Sequence, residues 1–412
     1  MSGMTSVTAT TAPDSKWRIL GALGLAELLA MAPWFSASAV VAALTAAWKL
    51  DDSGRAWLTM SVQIGFVAGA LASALLNLPD RIAAHKLFAW SALLTALVTA
   101  LIPLAGGNVP LALALRFLTG VFLAGVYPVG MKIVATWTKQ DRGLGIGFIV
   151  GALTLGSASP HLLNAFGGVR AWQPVLYLAA GSAALGGIIA ANLVHEGPYH
   201  TKTPPFDLRY IAHIARDRYL VLTNLGYLGH MWELFAMWAW VVIFLLESFK
   251  LRGVSAGWAS LSAFAIIGIG GLGSLIAGML ADRMGRTTVT IASLVVSGCC
   301  ALIVGRFFGG NPVWLVIICL AWGFAVVADS AQYSACISEL CPPAYMGTAL
   351  TLQTSLGFLL TLVTISGVPT LSQSLGWDRA FAVLALGPAV GIAAMALLRL
   401  SPAARRLAGG RG

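Results

Sequence analysis

The chain has 412 residues, of which 58% are hydrophobic and only 10% are charged, and its formal net charge is +10. Soluble domains carry about 25% charged residues, so this composition excludes a soluble enzyme, a disordered chain and a nucleic-acid-binding module. A membrane helix needs roughly 20 apolar residues, and the length therefore allows about twelve helices with their connections. The apolar runs are continuous rather than alternating, which argues against a β-barrel.

The apolar runs, taken in chain order, predict twelve membrane-spanning helices. Their approximate bounds are 18–47, 54–78, 86–105, 109–133, 142–166, 172–194, 219–246, 256–280, 287–307, 312–337, 345–370 and 377–398. One long polar stretch divides the twelve helices into two sets of six. The sequence thus predicts an N-terminal six-helix bundle over residues 1–194, a cytoplasmic linker over 195–218 and a C-terminal six-helix bundle over 219–412.

The basic residues predict how these helices are oriented. If the N-terminus is cytoplasmic, most of the 25 Lys and Arg residues fall in inner loops. That bias is what the positive-inside rule predicts for an even number of spans with both ends inside. We therefore expect an integral protein of the cytoplasmic (inner) membrane with both termini in the cytoplasm, and most of the net charge reflects this orientation.

Four charged residues fall well inside predicted spans: Glu27, Arg116, Glu233 and Asp329. A charge near the bilayer centre costs roughly 2.5–3.5 kcal/mol, so these positions indicate function or mutual pairing. Glu27 and Arg116 are candidates for a permanent pair. A carboxyl group buried without a cation favours its protonated form. Proton coupling is therefore predicted first for Glu233, then for Asp329 and Glu27, with His230 one helical turn from Glu233.

Helical spacing places further residues on the same faces as these charges. The predicted lining combines carboxylates, aromatic rings and methionine, which suits an amphipathic or aromatic solute. The predicted substrate-binding residues are Glu27, Met31, Trp34, Arg116, Tyr127, Tyr227, Met237, Trp240, Gln332 and Tyr333.

The first and seventh predicted helices carry related strings. Residues 27–34 read ELLAMAPW and residues 233–240 read ELFAMWAW, with five of eight positions identical at an offset of 206. A second echo, Asp80-Arg81 and Asp282-Arg283, follows helices two and eight at an offset of 202. The two halves therefore look duplicated in the same orientation, an architecture that secondary transporters use with the binding site between the halves.

Residues 278–286, GMLADRMGR, resemble the cytoplasmic loop signature of the major facilitator superfamily. The first-half copy at 76–84 keeps the Asp-Arg pair but lacks the glycines and the final arginine. The resemblance implies an all-α membrane fold of two parallel-repeat six-helix bundles, with helices one, four, seven and ten around a central cavity. It also implies a gating role for Asp80, Arg81, Gly278, Asp282, Arg283, Gly285 and Arg286.

Two further helices are similar to family motifs. The run from Arg116 through Gly125 resembles a helix-four motif that is common in proton-coupled members. The glycine-rich run 143–160 resembles the helix-five motif of drug–proton antiporters, although it lacks that motif's Gly-Pro pair and double glycine. Close helix packing through small residues is the other interpretation of that run.

These features predict a secondary active transporter of a small organic solute that works by alternating access, with proton-coupled export of lipophilic or cationic compounds as the leading form. One alternative is uptake or exchange of a small organic or inorganic anion. Another is a non-transporting membrane sensor built on a transporter scaffold. The expected partners are the substrate, protons and the lipid bilayer, in a monomer without cofactor or metal. No phosphate-binding loop is present to indicate an ATP-driven enzyme.

Overall fold

The computed structural model describes residues 13–138, 142–167, 171–199 and 206–412, and these residues are mostly helical. Residues 200–205 of the predicted linker lie outside the described residues. Eleven helical segments of the described chain are long and apolar enough to cross a membrane. The helix Pro13–Met31, continued by Ser36–Ala39 and Val41–Trp48, precedes them and completes the predicted set of twelve.

We number these segments as spans 1 to 12. Span 1 is Pro13–Met31 with its two short continuations. The others are Asp52–Leu75, Ala84–Ala105, Val109–Trp137, Gly143–Phe166, Gln173–Leu193, Arg218–Lys250, Ala256–Met284, Arg286–Phe307, Pro312–Leu340, Pro343–Leu375 and Trp377–Arg399. Successive spans run in opposite directions. We call the side where span 1 begins and span 12 ends the terminal side, and the other the opposite side.

Three spans are broken near the middle of the molecule. Span 1 is interrupted by turns between Met31 and Ser36. Span 4 is interrupted between Leu123 and Tyr127, where Pro128 lies in the first turn of the second piece and its missing N–H is tolerated. Span 10 is interrupted at Asp329. Discontinuous helices are how many transporters bring polar groups to a site at the bilayer midplane.

The glycine-rich run of span 5 packs directly against span 8. A Cβ atom added at Gly147 would lie 3.0 Å from the carbonyl oxygen of Ser274, and one at Gly151 would lie 3.2 Å from that of Gly271. At the terminal end, a Cβ at Gly278 would lie 2.9 Å from the carbonyl oxygen of Gly143. Small residues therefore let the two halves approach at backbone distance along this seam.

The two copies of the predicted gating loop differ in their contacts. In the first copy, Asp80 pairs with Lys132 of span 4, and Arg81 is exposed. In the second, Gly285 takes a positive φ of 93° that lets the chain turn from span 8 into span 9. Arg283 is also exposed. Only the second copy reaches span 10.

Arg286 makes the contacts between the second loop and span 10. Its Nε and Nη2 donate to Glu339 Oε1 at 2.9 and 2.6 Å, and its Nη1 donates to Gln332 Oε1 at 3.1 Å. Asp282 Oδ1 lies 3.5 Å from Arg286 Nη2. The C-terminal segment covers this network, because Ala408 N donates to Glu339 Oε2 at 2.9 Å and Arg411 contacts the carbonyl oxygen of Asp282. The second loop is therefore tied to span 10 and to the tail.

Candidate functional site

A central cavity of about 200 Å³ lies between the two halves. Its lining residues come from spans 1, 4 and 5 of the first half and from spans 7, 10 and 11 of the second half. It extends from the middle of the molecule towards the terminal side. The lining residues are Trp34, Tyr127, Pro128, Met131, Val150, Leu153, Thr154, Ser157, Tyr227, His230, Met231, Leu234, Phe235, Trp238, Val327, Ser330, Ser334, Leu350, Thr354 and Phe358.

An aromatic cluster closes the cavity towards the opposite side. Trp34 stacks with Phe235 and Phe358 at ring-centroid distances of 5.9 and 5.6 Å. Phe66 meets Phe358 at 4.6 Å. Phe35 meets Trp238 edge to face at 5.6 Å. Every one of these pairs joins one half to the other. The six rings, from Trp34, Phe35, Phe66, Phe235, Trp238 and Phe358, form what we call the aromatic seal.

A polar network lies in the wall formed by spans 7 and 10. His230 Nδ1 lies 2.9 Å from Asp329 Oδ1, with both side chains almost fully buried. His230 Nε2 lies 2.8 Å from Ser330 Oγ, and both residues line the cavity. The Tyr333 hydroxyl donates to Asp329 Oδ2 at 2.6 Å. Asp329 and Tyr333 therefore hold His230 from behind, with Ser330 beside its ring at the cavity surface.

Glu233 points away from the cavity into the packing of the C-terminal half. Its Oε1 accepts from the indole N–H of Trp322 at 2.6 Å, and its Oε2 accepts from the Ser297 hydroxyl at 2.9 Å. Glu233 is fully buried and is not among the lining residues. Glu233, which the sequence ranks first for proton coupling, therefore joins spans 7, 9 and 10.

Arg116 does not pair with Glu27. Its Nε donates to the carbonyl oxygen of Leu58 at 3.0 Å, and its Nη1 and Nη2 donate to those of Pro33 and Trp34 at 2.7 and 2.5 Å. The carbonyls of Pro33 and Trp34 lie at the break in span 1, where Arg116 supplies donors, and the carbonyl of Leu58 belongs to span 2. The expected ion pair is therefore wrong for this conformation, and the guanidinium stabilises a helix break.

Glu27 is fully buried, and neither carboxylate oxygen accepts a hydrogen bond from the residues that the structure describes. It lies against Gly130 of span 4, where an added Cβ atom would be 2.7 Å from Glu27 Oε2. It does not line the cavity, although Tyr127, three residues before Gly130, does. Glu27 is therefore a buried acid one layer behind the cavity wall.

Only part of the predicted stripe on span 7 lines the cavity. Tyr227 and His230 line the cavity, but Met237 and Trp240 do not, and the Trp240 indole donates to the carbonyl oxygen of Ile365 at 2.9 Å. The observed lining continues through Met231, Leu234, Phe235 and Trp238. At about 100° per residue, the observed face is centred roughly 100° from the face through Glu233, Met237 and Trp240. Most of span 7 is buried, so both faces look alike in the sequence.

Among the other predicted substrate residues, Trp34 and Tyr127 line the cavity, whereas Met31, Gln332 and Tyr333 are buried outside it. The lining residues that the stripes missed are mostly apolar, and they also include the hydroxyl-bearing residues Thr154, Ser157, Ser330, Ser334 and Thr354. The adjacency of Ser330 to Asp329 was the one available signal. In the described part of the chain, no three His, Cys, Asp or Glu side chains are grouped to hold a metal ion.

Comparison with known proteins identifies related transporters. The family model described as Major Facilitator Superfamily matches residues 23–365. The niacin transporter NiaP of Acinetobacter baylyi is 23% identical over 344 residues, which are 72% of this chain and 75% of that protein. A NiaP protein of Bacillus subtilis is 30% identical over 181 residues, which are 41% of this chain and 42% of that protein.

Among solved structures, the proton:xylose symporter XylE bound to 6-bromo-6-deoxy-D-glucose superposes with a TM-score of 0.70 at 17% identity. The match covers 93% of this chain and 95% of that chain. At this identity the likeness shows the fold alone, and it agrees with two bundles of membrane helices around a central cavity.

Proposed function

The chain belongs to the major facilitator superfamily and is a secondary transporter of that type, and from this premise we propose that it takes up a small aromatic monocarboxylate of the niacin (pyridine carboxylate) class together with protons. The observation that carries the proposal is the cavity between the halves, with aromatic walls and His230 and Ser330 side by side in one wall. Aromatic walls accommodate a flat ring, and an imidazole N–H and a hydroxyl can donate hydrogen bonds to a carboxylate.

The size of the cavity favours a single-ring solute. Its volume is about 200 Å³, whereas pockets for drug-sized ligands span roughly 300–1,000 Å³. The rings of Trp34, Trp238 and Phe358 lie within its wall and offer stacking surfaces for a flat ligand. A small aromatic acid therefore suits this volume better than the bulky lipophilic compounds of the export hypothesis.

The polar groups at the cavity surface favour an anion over a cation. The indole N–H groups of Trp34 and Trp238 are buried and have no acceptor among the described residues. They can donate only, as a carboxylate requires. Glu27 and Glu233, the acids that would attract a cation, do not line the cavity. This distribution supports the uptake or exchange of an organic anion over the export of cations.

The similarity to NiaP supports the pyridine carboxylate class, since the Acinetobacter baylyi relative is named a niacin transporter. We assign proton coupling to the pair His230 and Asp329, because His230 touches the cavity and Asp329 touches His230. A proton held on the imidazole while the anionic solute is bound would travel with it. We further assign the terminal side to the cytoplasm, from the bias of basic residues.

The test is transport of radiolabelled nicotinate into proteoliposomes with an imposed pH gradient. We expect saturable uptake that is stimulated when the outside is more acidic, inhibition by excess benzoate, and little inhibition by nicotinamide, which lacks the charge. His230→Gln should abolish the stimulation. His213→Gln is the matched control, because His213 is exposed and outside the spans, and it should leave uptake unchanged.

Three outcomes would contradict parts of the proposal. Transport of lipophilic cations without nicotinate would favour export. Nicotinate uptake that does not depend on the pH gradient would contradict proton coupling and leave the proposed substrate class intact. Nicotinate binding, seen as quenching of tryptophan fluorescence, without movement across the bilayer would favour a sensor.

A further inference from the structure

Four polar residues of span 5 lie on one stripe that runs from the cavity towards the opposite side. Thr154, Ser157, His161 and Asn164 are spaced three or four residues apart and so share one helix face. Thr154 and Ser157 line the cavity. At 1.5 Å per residue, His161 lies about 6 Å beyond Ser157 along the helix axis. The stripe therefore leads from the cavity along span 5 towards its end on the opposite side.

His161 is the most unusual member of this stripe. It is fully buried, and neither ring nitrogen has a hydrogen-bonding partner among the described residues. The Ser157 hydroxyl, one turn away, is also buried, and it has no hydrogen-bonding partner within the described part of the chain. Buried polar groups in proteins are nearly always hydrogen-bonded, and leaving them unpaired is costly. Two such groups in succession indicate that this face meets water or solute in another state of the protein.

Asn164 is the last residue of the stripe on the opposite side. Its Nδ2 donates to the carbonyl oxygen of Ala39 at 3.0 Å and to Ser260 Oγ at 3.0 Å. Ser260 belongs to span 8, so this bridge joins the two halves near the opposite side. Along the helix, His161 thus lies between Ser157 at the cavity and Asn164 at the bridge.

We propose that Ser157 and His161 form an entry site that receives the carboxylate of the solute when the protein opens to the opposite side. Separation of the halves breaks the Asn164 bridge and exposes His161 first and Ser157 second. The solute then passes from His161 to Ser157 and on to His230 in the cavity. The exposure of His161 follows from alternating access alone, and only the identity of the anion rests on the proposed function.

Labelling from the opposite side tests the exposure. In membrane vesicles of each orientation, His161→Cys should react with a membrane-impermeant thiol reagent offered from the opposite side, above the level given by the five native cysteines. Leu163→Cys is the matched control. It lies at nearly the same depth but packs against a hydrophobic cluster whose buried members all belong to the N-terminal half, and it should stay at the native level. Adding Asn164→Ala to His161→Cys should increase the labelling several-fold.

A directional transport measurement tests the binding role. For His161→Gln, the KM for nicotinate offered from the opposite side should rise about tenfold, as expected for one lost hydrogen bond to a charged group. The KM for nicotinate offered from the terminal side should not change. A purely structural role would instead lower the amount of folded protein and alter both directions alike.

The outcomes separate this proposal from the proposed function. If His161→Cys stays at the native labelling level from the opposite side, even with Asn164→Ala, the entry route is overturned. If His161→Cys is labelled but His161→Gln changes the KM equally in both directions, the carboxylate site is overturned and the entry route remains. If labelling is positive while nicotinate is not carried, the substrate class fails and the exposure of His161 stands.

Discussion

The N-terminal and C-terminal halves contain related strings at an offset of 206 and use them in different ways. Glu27 is buried without a hydrogen-bonding partner in the described part of the chain, whereas its counterpart Glu233 accepts from Trp322 and Ser297. Trp34 lines the cavity with its indole N–H unpartnered, whereas Trp240 donates to the carbonyl oxygen of Ile365 and lies outside the cavity. Equivalent positions thus do not have equivalent chemistry.

The same offset relates spans 4 and 10. Tyr127 and Tyr333 correspond, and so do Arg116 and Trp322, since 333 and 322 each exceed the first number by 206. Both spans are broken close to these tyrosines. Arg116 supports the break in span 1, while Trp322 holds Glu233 of span 7. The duplication therefore kept where the helices break, while the titratable group at the cavity surface, His230, belongs to the second half.

The largest expected effect comes from breaking the support of the first half. Arg116→Ala removes the donors to two carbonyl groups at the break in span 1 and to the carbonyl group of Leu58 in span 2. We expect it to lower the free energy of unfolding by about 3–5 kcal/mol, because each buried group that loses its partner costs about 1–3 kcal/mol. Denaturation in detergent micelles measures this. Trp322→Phe, at the equivalent position, should cost less because it removes one neutral donor. Equal losses of stability in Arg116→Ala and Trp322→Phe would contradict the expected difference between the two halves.

The next largest effect concerns the cavity network of the second half. Asp329→Asn keeps the volume but removes the charge beside His230. We expect kcat/KM for nicotinate to fall about a hundredfold, since disrupting a buried charged pair costs about 3 kcal/mol. The measurement is uptake by proteoliposomes across a range of pH. Glu27→Gln is the comparison in the first half and should keep uptake within a few-fold. A greater loss of uptake in Glu27→Gln than in Asp329→Asn would assign proton coupling to Glu27 instead.

A smaller effect separates the two glutamates in stability. Glu233→Ala leaves the Trp322 N–H without its acceptor and the Ser297 hydroxyl with only the carbonyl oxygen of Leu294 at 3.3 Å, and an unpaired buried group costs about 1–3 kcal/mol. Glu27→Ala leaves no donor unpaired among the described residues. It should therefore destabilise the protein less than Glu233→Ala does. Paired thermal denaturation curves give the comparison, and a greater loss in Glu27→Ala would point to a hydrogen-bonding partner for Glu27.

The smallest effect distinguishes the two tryptophans of the repeat. Trp240→Phe removes one hydrogen bond to Ile365 and should cost about 1 kcal/mol of stability. It should leave the KM for nicotinate unchanged, because Trp240 lies outside the cavity. Trp34→Phe removes a buried indole N–H of a cavity-lining residue and should raise that KM a few-fold with little loss of stability. If Trp240→Phe changes the KM, the cavity face of span 7 is incorrectly assigned.

Much of the site could be predicted from the rarity of charge in the spans. Burial of Glu27, Arg116, Glu233 and Asp329 follows from the cost of exposing charge to lipid, and all four are buried. Trp34, Tyr127, Tyr227 and His230 were predicted as site residues and line the cavity. The hydroxyl groups that complete the wall were missed, because Ser and Thr also serve as ordinary contacts between membrane helices.

The sequence by itself determined the membrane location, the set of helices, the duplication and the family. Each of these depends on local properties of the chain: apolar runs of about 20 residues and strings that recur at a fixed offset. Only the tertiary structure decided that Arg116 supports the break in span 1, that Glu233 binds Trp322, and that His230 faces the cavity. A helix surrounded by other helices has no polar stripe to mark its orientation, so its rotation is fixed by side chains far away in the sequence.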